Sequence, residues 1–117
     1  MSDIETRNAK IRSTMLGIEA HGIMSFMLDL DYGGSGQGAG GCALDSYDKA
    51  RNIRVGWGPG VKLIRTILET VGVESWEALK GQHIRVRASW SKVHAIGHFI
   101  DDKWLDFGEF FELEKQP

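Results

Sequence analysis

The chain has 117 residues, 42% of them hydrophobic, which is enough apolar material for one ordinary core. Its 14 basic and 16 acidic residues leave a net charge of −2, which argues against a general binder of nucleic acid or anionic membrane, since either needs a basic surplus or a strong local patch. The lone Cys42 excludes an internal disulfide and a Cys-x-x-Cys zinc pair, and with no leader-like apolar run and no stretch of about eighteen apolar residues the expected compartment is the cytoplasm.

Residues 1–10 are polar and are expected to fray. From Ile11 to Ile18 the pattern is mixed apolar and β-branched, and after Glu19-Ala20-His21-Gly22 it resumes with Met24, Phe26, Leu28 and Leu30 alternating with Ser25, Met27, Asp29 and Asp31. That period of two is the mark of a half-buried strand, and the pair reads as an antiparallel hairpin. Next comes a run in which glycine occupies positions 33, 34, 36, 38, 40 and 41, after which Cys42-Ala43-Leu44 can return as a short third strand. Ser46 to Asn52 reads as a loop or a single helical turn, and Ile53 to Trp57 as a weak strand closed by Gly58-Pro59-Gly60. Val61 begins the principal helix, with Val61, Ile64, Leu68 and Val71 on one stripe widened by Leu63 and Ile67, and Gly72 as its stop. Ser75 caps a short turn through Leu79 that ends at Gly81.

Strand patterning then returns. Ile84, Val86, Ala88 and Trp90 alternate with His83, Arg85, Arg87 and Ser89, and after Ser91-Lys92 the segment Val93 to Ile100 alternates again, predicting a second hairpin. Asp101-Asp102-Lys103 makes a turn before a short strand with Trp104, Leu105 and Phe107, followed by an acidic tail. Together these elements predict one α+β domain over residues 1–117: an antiparallel sheet of five or six strands packed against one principal helix, in the order hairpin, helix, hairpin.

The glycine run contains a formal G-x-G-x-x-G at Gly36, Gly38 and Gly41. A dinucleotide cradle needs that motif to run into a helix, which Cys42-Ala43-Leu44-Asp45 does not supply, and no Gly-Lys-Ser or Gly-Lys-Thr exists for a phosphate loop. Two readings stay open: backbone amides around Gly34, Gly36 and Gly38 forming an anion nest, or a mobile hairpin loop. The second glycine cluster precedes the helix, where free amides and the helix dipole can hold an anion with Arg54 or Lys62 nearby and Trp57 available to stack on a base. The plainer account is a tight helix start built from Gly58, Pro59 and Gly60, with Trp57 in the core. Arg85 and Arg87 share a strand face with His83 and could contact phosphate or an acidic protein, or simply face solvent.

The candidate ligand-binding residues are therefore Gly34, Gly36, Gly38, Arg54, Trp57, Gly58, Gly60, Arg85 and Arg87. His94 and His98, with Asp101, Asp102 and Asp106 following, have metal-ligating chemistry, but strand positions four apart lie roughly 13 Å from each other. Asp29 and Asp31 share a face without the visible pocket that acid–base work needs, and Cys42 suits a small buried position. No catalytic residue, cofactor or metal is expected. The acidic and aromatic C-terminal segment has the composition to occupy a basic groove on a partner.

Ser13-Thr14-Met15-Leu16-Gly17-Ile18-Glu19, His21-Gly22-Ile23 and Leu28 to Gly38 resemble a family of small accessory proteins encoded in phages and prophages, and Ile67 to Val73 and Ser75 to Gly81 extend the resemblance over most of the chain. It transfers no catalytic residue. It implies a viral accessory protein in the host cytoplasm, acting without catalysis in counter-defence by binding a host defence protein, such as a CRISPR effector, or a small nucleotide signal. The alternatives are a phage enzyme acting on a nucleotide or nucleic acid, with Asp29, Asp31 and His94 or His98 in its chemistry, or a structural or replication accessory protein. A homo-oligomer contact through the glycine segment is a further expectation.

Overall fold

In the computed structural model, which describes residues 3–115, the polar N-terminal segment is not frayed. Strand β1 (Glu5–Ile18) begins well before Ile11, and its first half pairs antiparallel with β6 (His83–Ala88), Ala9 opposite Ile84. The expectation of fraying also covered residues 1 and 2, which lie outside the described residues. Polar side chains hid this strand. Between Glu5 and Lys10 only Ala9 turns inward onto the core, so the apolar half of the alternation is nearly missing.

The second half of β1 pairs with β2 (Met24–Asp31), as the alternation predicts. A bulge between Ile11 and Ser13 inserts Arg12, so that Ala9 and Ile11 face the core before it whereas Thr14, Leu16 and Ile18 lie opposite Leu28, Phe26 and Met24 after it. Strands β3 (Gly36–Ala43), β7 (Val93–Gly97) and β8 (Trp104–Asp106) complete a six-stranded antiparallel sheet in the order β3-β2-β1-β6-β7-β8. The sheet is strongly curled. Gln37 of the edge strand β3 donates its amide to the carbonyls of Ser89 (3.1 Å) and Trp90 (3.2 Å) in the β6–β7 turn, although β2 and β1 separate β3 from β6.

Most of the glycine run is therefore strand, not mobile connector. Only Gly33, Gly34 and Ser35 form the turn, closed by Tyr32 N–H to the Ser35 carbonyl at 2.8 Å. The sequence shows only the end of this strand, at Cys42-Ala43, because glycine leaves no alternation to detect. It is needed at Gly40, where φ is 118° and a Cβ would stand 2.6 Å from the Phe26 ring. Ser46 to Asn52 is likewise neither plain loop nor helical turn: β4 (Asp45–Asp48) pairs with β5 (Ile53–Gly56) as a separate two-stranded sheet.

Helix α1 (Gly58–Val71) is closed by Gly72 at φ 91°, whose N–H reaches the Leu68 carbonyl at 2.8 Å. Its buried stripe is Leu63, Ile67, Thr70 and Val71, rotated from the expected one, and Val61 is left 74% exposed. Leu63 and Ile67 meet Ile11, Phe26, Leu28, Leu30, Ile84, Val86 and Ile96 in one core cluster, each fully buried aliphatic side chain contributing about 1.5–3 kcal/mol. The acidic tail is a second helix, α2 (Phe107–Glu114), and the last strand stops at Asp106, whose carboxylate accepts the Glu109 N–H at 2.9 Å. Phe107 thus caps the core beside Phe26, ring centroids 6.1 Å apart, instead of continuing a strand. Among the described residues no helix is long and apolar enough to cross a membrane.

Candidate binding site

The expected ligand-binding residues fall in three separate places. Gly36 and Gly38 pair with Asp31 and Asp29 of β2, while Gly34 sits in the preceding turn. Arg85 and Arg87 lie on the convex face of the sheet, stacked over the Trp104 ring at 4.9 and 3.9 Å, and Arg85 also donates to the carbonyls of His98 (2.9 Å) and Asp101 (2.7 Å). Trp104 in turn covers Gly97, where a Cβ would come within 2.6 Å of the indole. The arginine pair thus spends much of its donor and stacking capacity inside the protein.

Arg54, Trp57 and Gly60 do share a groove, with Gly58 opening α1 at its side. This groove of about 390 Å³ runs between the tip of the β1–β2 hairpin and the start of α1, walled by Leu16, Ile18, Met24, Val61 and Ile64. At its floor the Arg54 guanidinium bonds the Asp45 carboxylate at 2.8 Å and the Asp45 carbonyl at 3.1 Å, and the other Asp45 oxygen accepts the Met24 N–H at 3.1 Å. The Arg54 hydrogen bond holds the Asp45 carboxyl below the usual aspartate range, so the two charges neutralise each other. Trp57 has one ring face against Phe111, 6.3 Å between centroids and 1° from parallel. Gly60 lets α1 close onto the Leu44 carbonyl, which stands where a Cβ would be. An apolar wall over a neutralised pair suits apolar side chains better than phosphate.

A second groove, about 460 Å³, opens at the opposite end of β1. The inward face that carries Ala9 and Ile11 continues there as Arg7 and Glu5, with Asp3 beyond them. Arg7 lies 4.0 Å over the Tyr32 ring, the Tyr32 hydroxyl meets Gln37 Oε1 at 2.5 Å, and Trp90 stands 89% exposed on the β6–β7 turn. Nothing in the sequence reading picked out Arg7, Tyr32, Gln37 or Trp90. Trp90 matched the inward phase of Ile84, Val86 and Ala88, but β6 ends at Ala88, so the indole leaves the sheet. On the first groove the missed residues are Leu16 and Ile18, whose phase the bulge reverses.

The groups with catalytic chemistry are tied up locally. Asp29 takes a bidentate pair from Arg12 at 2.9 and 3.0 Å plus the Ser13 hydroxyl at 3.2 Å, and the Arg12 hydrogen bond lowers its pKa. Asp31 accepts the Gly33 N–H at 2.7 Å. The strand bearing His94 ends at Gly97, and His98 Nδ1 accepts the N–H groups of Ile100 (3.1 Å) and Asp101 (2.9 Å). No three His, Cys, Asp or Glu side chains among the described residues form a metal-sized group. Burial pushes the Cys42 thiol up despite nearby Lys92. No protein-family model matches the chain, and neither the curated proteins nor the solved structures contain a match.

Proposed function

We propose that this chain acts by binding rather than by catalysis, as a phage counter-defence protein whose target is a host defence protein such as a CRISPR effector. The observation that supports a protein target is the groove beside α1, where Ile18 and Val61 are each 74% exposed and continuous with Leu16 and Ile64. Contiguous apolar surface of that kind, left open to water beside a neutralised ion pair, is what a partner's apolar side chains cover. A nucleotide signal has less support, because Arg54 is engaged by Asp45 and Arg85 by two carbonyls and Trp104. Catalysis through Asp29 has less too, because a carboxyl acting as general base near neutral pH needs a raised pKa, and that of Asp29 is lowered.

Expression of the chain in bacteria whose CRISPR effector restricts a phage should restore plaquing. The Ile18→Asp, Val61→Asp double variant should lose that restoration while melting within about 2 °C of the parent, since both positions face solvent. Restoration that survives both substitutions, or a nucleotide that raises the melting temperature of parent and variant alike, would overturn the reading.

A further inference from the structure

We infer that the groove at the other end of β1 receives an arginine side chain of the partner protein, stacked on Trp90 and paired with Asp3 and Glu5, an inference that rests on the reading of this chain as a protein binder. Charge complementarity is the first argument. Asp3 and Glu5 line the groove, are exposed, and make no ion pair among the described residues. Against them stands Arg7 alone, so the lining is net acidic and repels the phosphate of a nucleotide while attracting a cation.

The second argument is the aromatic platform. An indole 89% in water is an uncovered apolar surface with a negative ring face, and a guanidinium is the cation that stacks on it while still presenting a fork of N–H groups to a carboxylate. The groove already holds one such contact: Arg7 occupies the inner ring, Tyr32, at 4.0 Å, leaving Trp90 as the outer and vacant one. The platform is also held in place. Trp90 sits in a tight turn closed by Ser89 N–H to the Lys92 carbonyl at 2.8 Å, and Gln37 fixes that turn from β3 through the Ser89 and Trp90 carbonyls. A fixed backbone lowers the ordering cost of binding. Lys92, the nearest further cation in sequence, lies near Cys42 and outside the groove lining.

Calorimetric titration at low salt with an acetylated Gly-Arg-Gly-Arg-Gly amide, and with the same peptide carrying uncharged citrulline for arginine, tests the inference. The arginine peptide should bind saturably and more weakly as salt rises, and the citrulline peptide should not bind. Trp90→Ala should weaken binding about fivefold or more, as should Asp3→Asn combined with Glu5→Gln, and the Ile18→Asp, Val61→Asp variant should bind as the parent does. Equal binding of the citrulline peptide, parent-like binding by both groove variants, or displacement of the peptide by adenosine monophosphate would overturn it. The titration does not use the apolar groove, so a failure here leaves the plaquing result standing, and lost plaquing with Trp90-dependent peptide binding overturns the target and not the arginine site.

Discussion

At Gly60 two opposing effects can be weighed on one atom. Alanine would gain about 1 kcal/mol of helix propensity in α1, but its Cβ would overlap the Leu44 carbonyl, a backbone group that cannot rotate aside. Overpacking of this kind costs roughly 1–3 kcal/mol, so Gly60→Ala should lower the unfolding free energy in urea denaturation. Gly17→Ala is the matching control: nothing lies within 4 Å of its added Cβ, and it should be neutral or stabilising by up to about 1 kcal/mol. Destabilisation of both to the same degree would show that the Leu44 contact is not what sets the cost. Such a contact is invisible in the sequence, where Gly58, Pro59 and Gly60 look alike as a helix start. Trp90 shows the same limit, since periodicity gives the phase of a residue and not the point at which its strand ends.

Elements were legible where their apolar residues do the packing. Strand β2 and helix α1 each bury a periodic set, and both stand where the alternation and the stripe place them, although α1 begins at Gly58 and presents a rotated face. The glycine part of strand β3, before Cys42-Ala43, was hidden because glycine carries no pattern, and the start of β1 because its inward positions at Glu5 and Arg7 line an open groove. Helix α2 did leave a signal, an Asp followed three residues later by Glu at Asp106 and Glu109, which is a capping signature. Removing that cap with Asp106→Ala should cost about 0.5–2 kcal/mol in equilibrium unfolding and reduce helical circular dichroism, with Asp106→Asn recovering most of the loss. The far end of α2 has its own anchor, Lys62 of α1 lying 2.6 Å from a Glu114 oxygen that is buried and lacks a directed hydrogen bond. That tie is ionic, so the cap is the better-defined handle on α2.

For the whole molecule, acid is the informative perturbation. Asp29, Asp45 and Asp48 all have lowered pKa values, chiefly through side-chain hydrogen bonds from Arg12, Arg54 and Arg51. A carboxylate that binds its proton less readily when folded contributes stability above its unfolded pKa and loses it as the pH falls through the lower folded value, here from about pH 4 downward. Asp45 has the least exposed side chain of the three, 14% against 41% for Asp29 and 25% for Asp48, so water screens its pair least. Asp45→Asn should therefore lower the melting temperature at neutral pH and flatten its decline in acid, and an unchanged slope between pH 5 and 2 would assign the acid sensitivity elsewhere. The inserted Arg12 reaches furthest across the molecule. It works as a change of parity, turning odd positions inward before it and even positions inward after it, so that Arg7 and Leu16 open on the same side of the sheet although one position is odd and the other even. Nine residues of strand span about 30 Å, so a partner touching both ends would be clamped at two distant footholds, and losing either would cost it the avidity of the pair. Deleting position 12 would leave the β1–β2 pairing intact, Ile11 opposite Leu30 and Thr14 opposite Leu28, and keep both footholds on one side, at the cost of the Arg12 partner of Asp29.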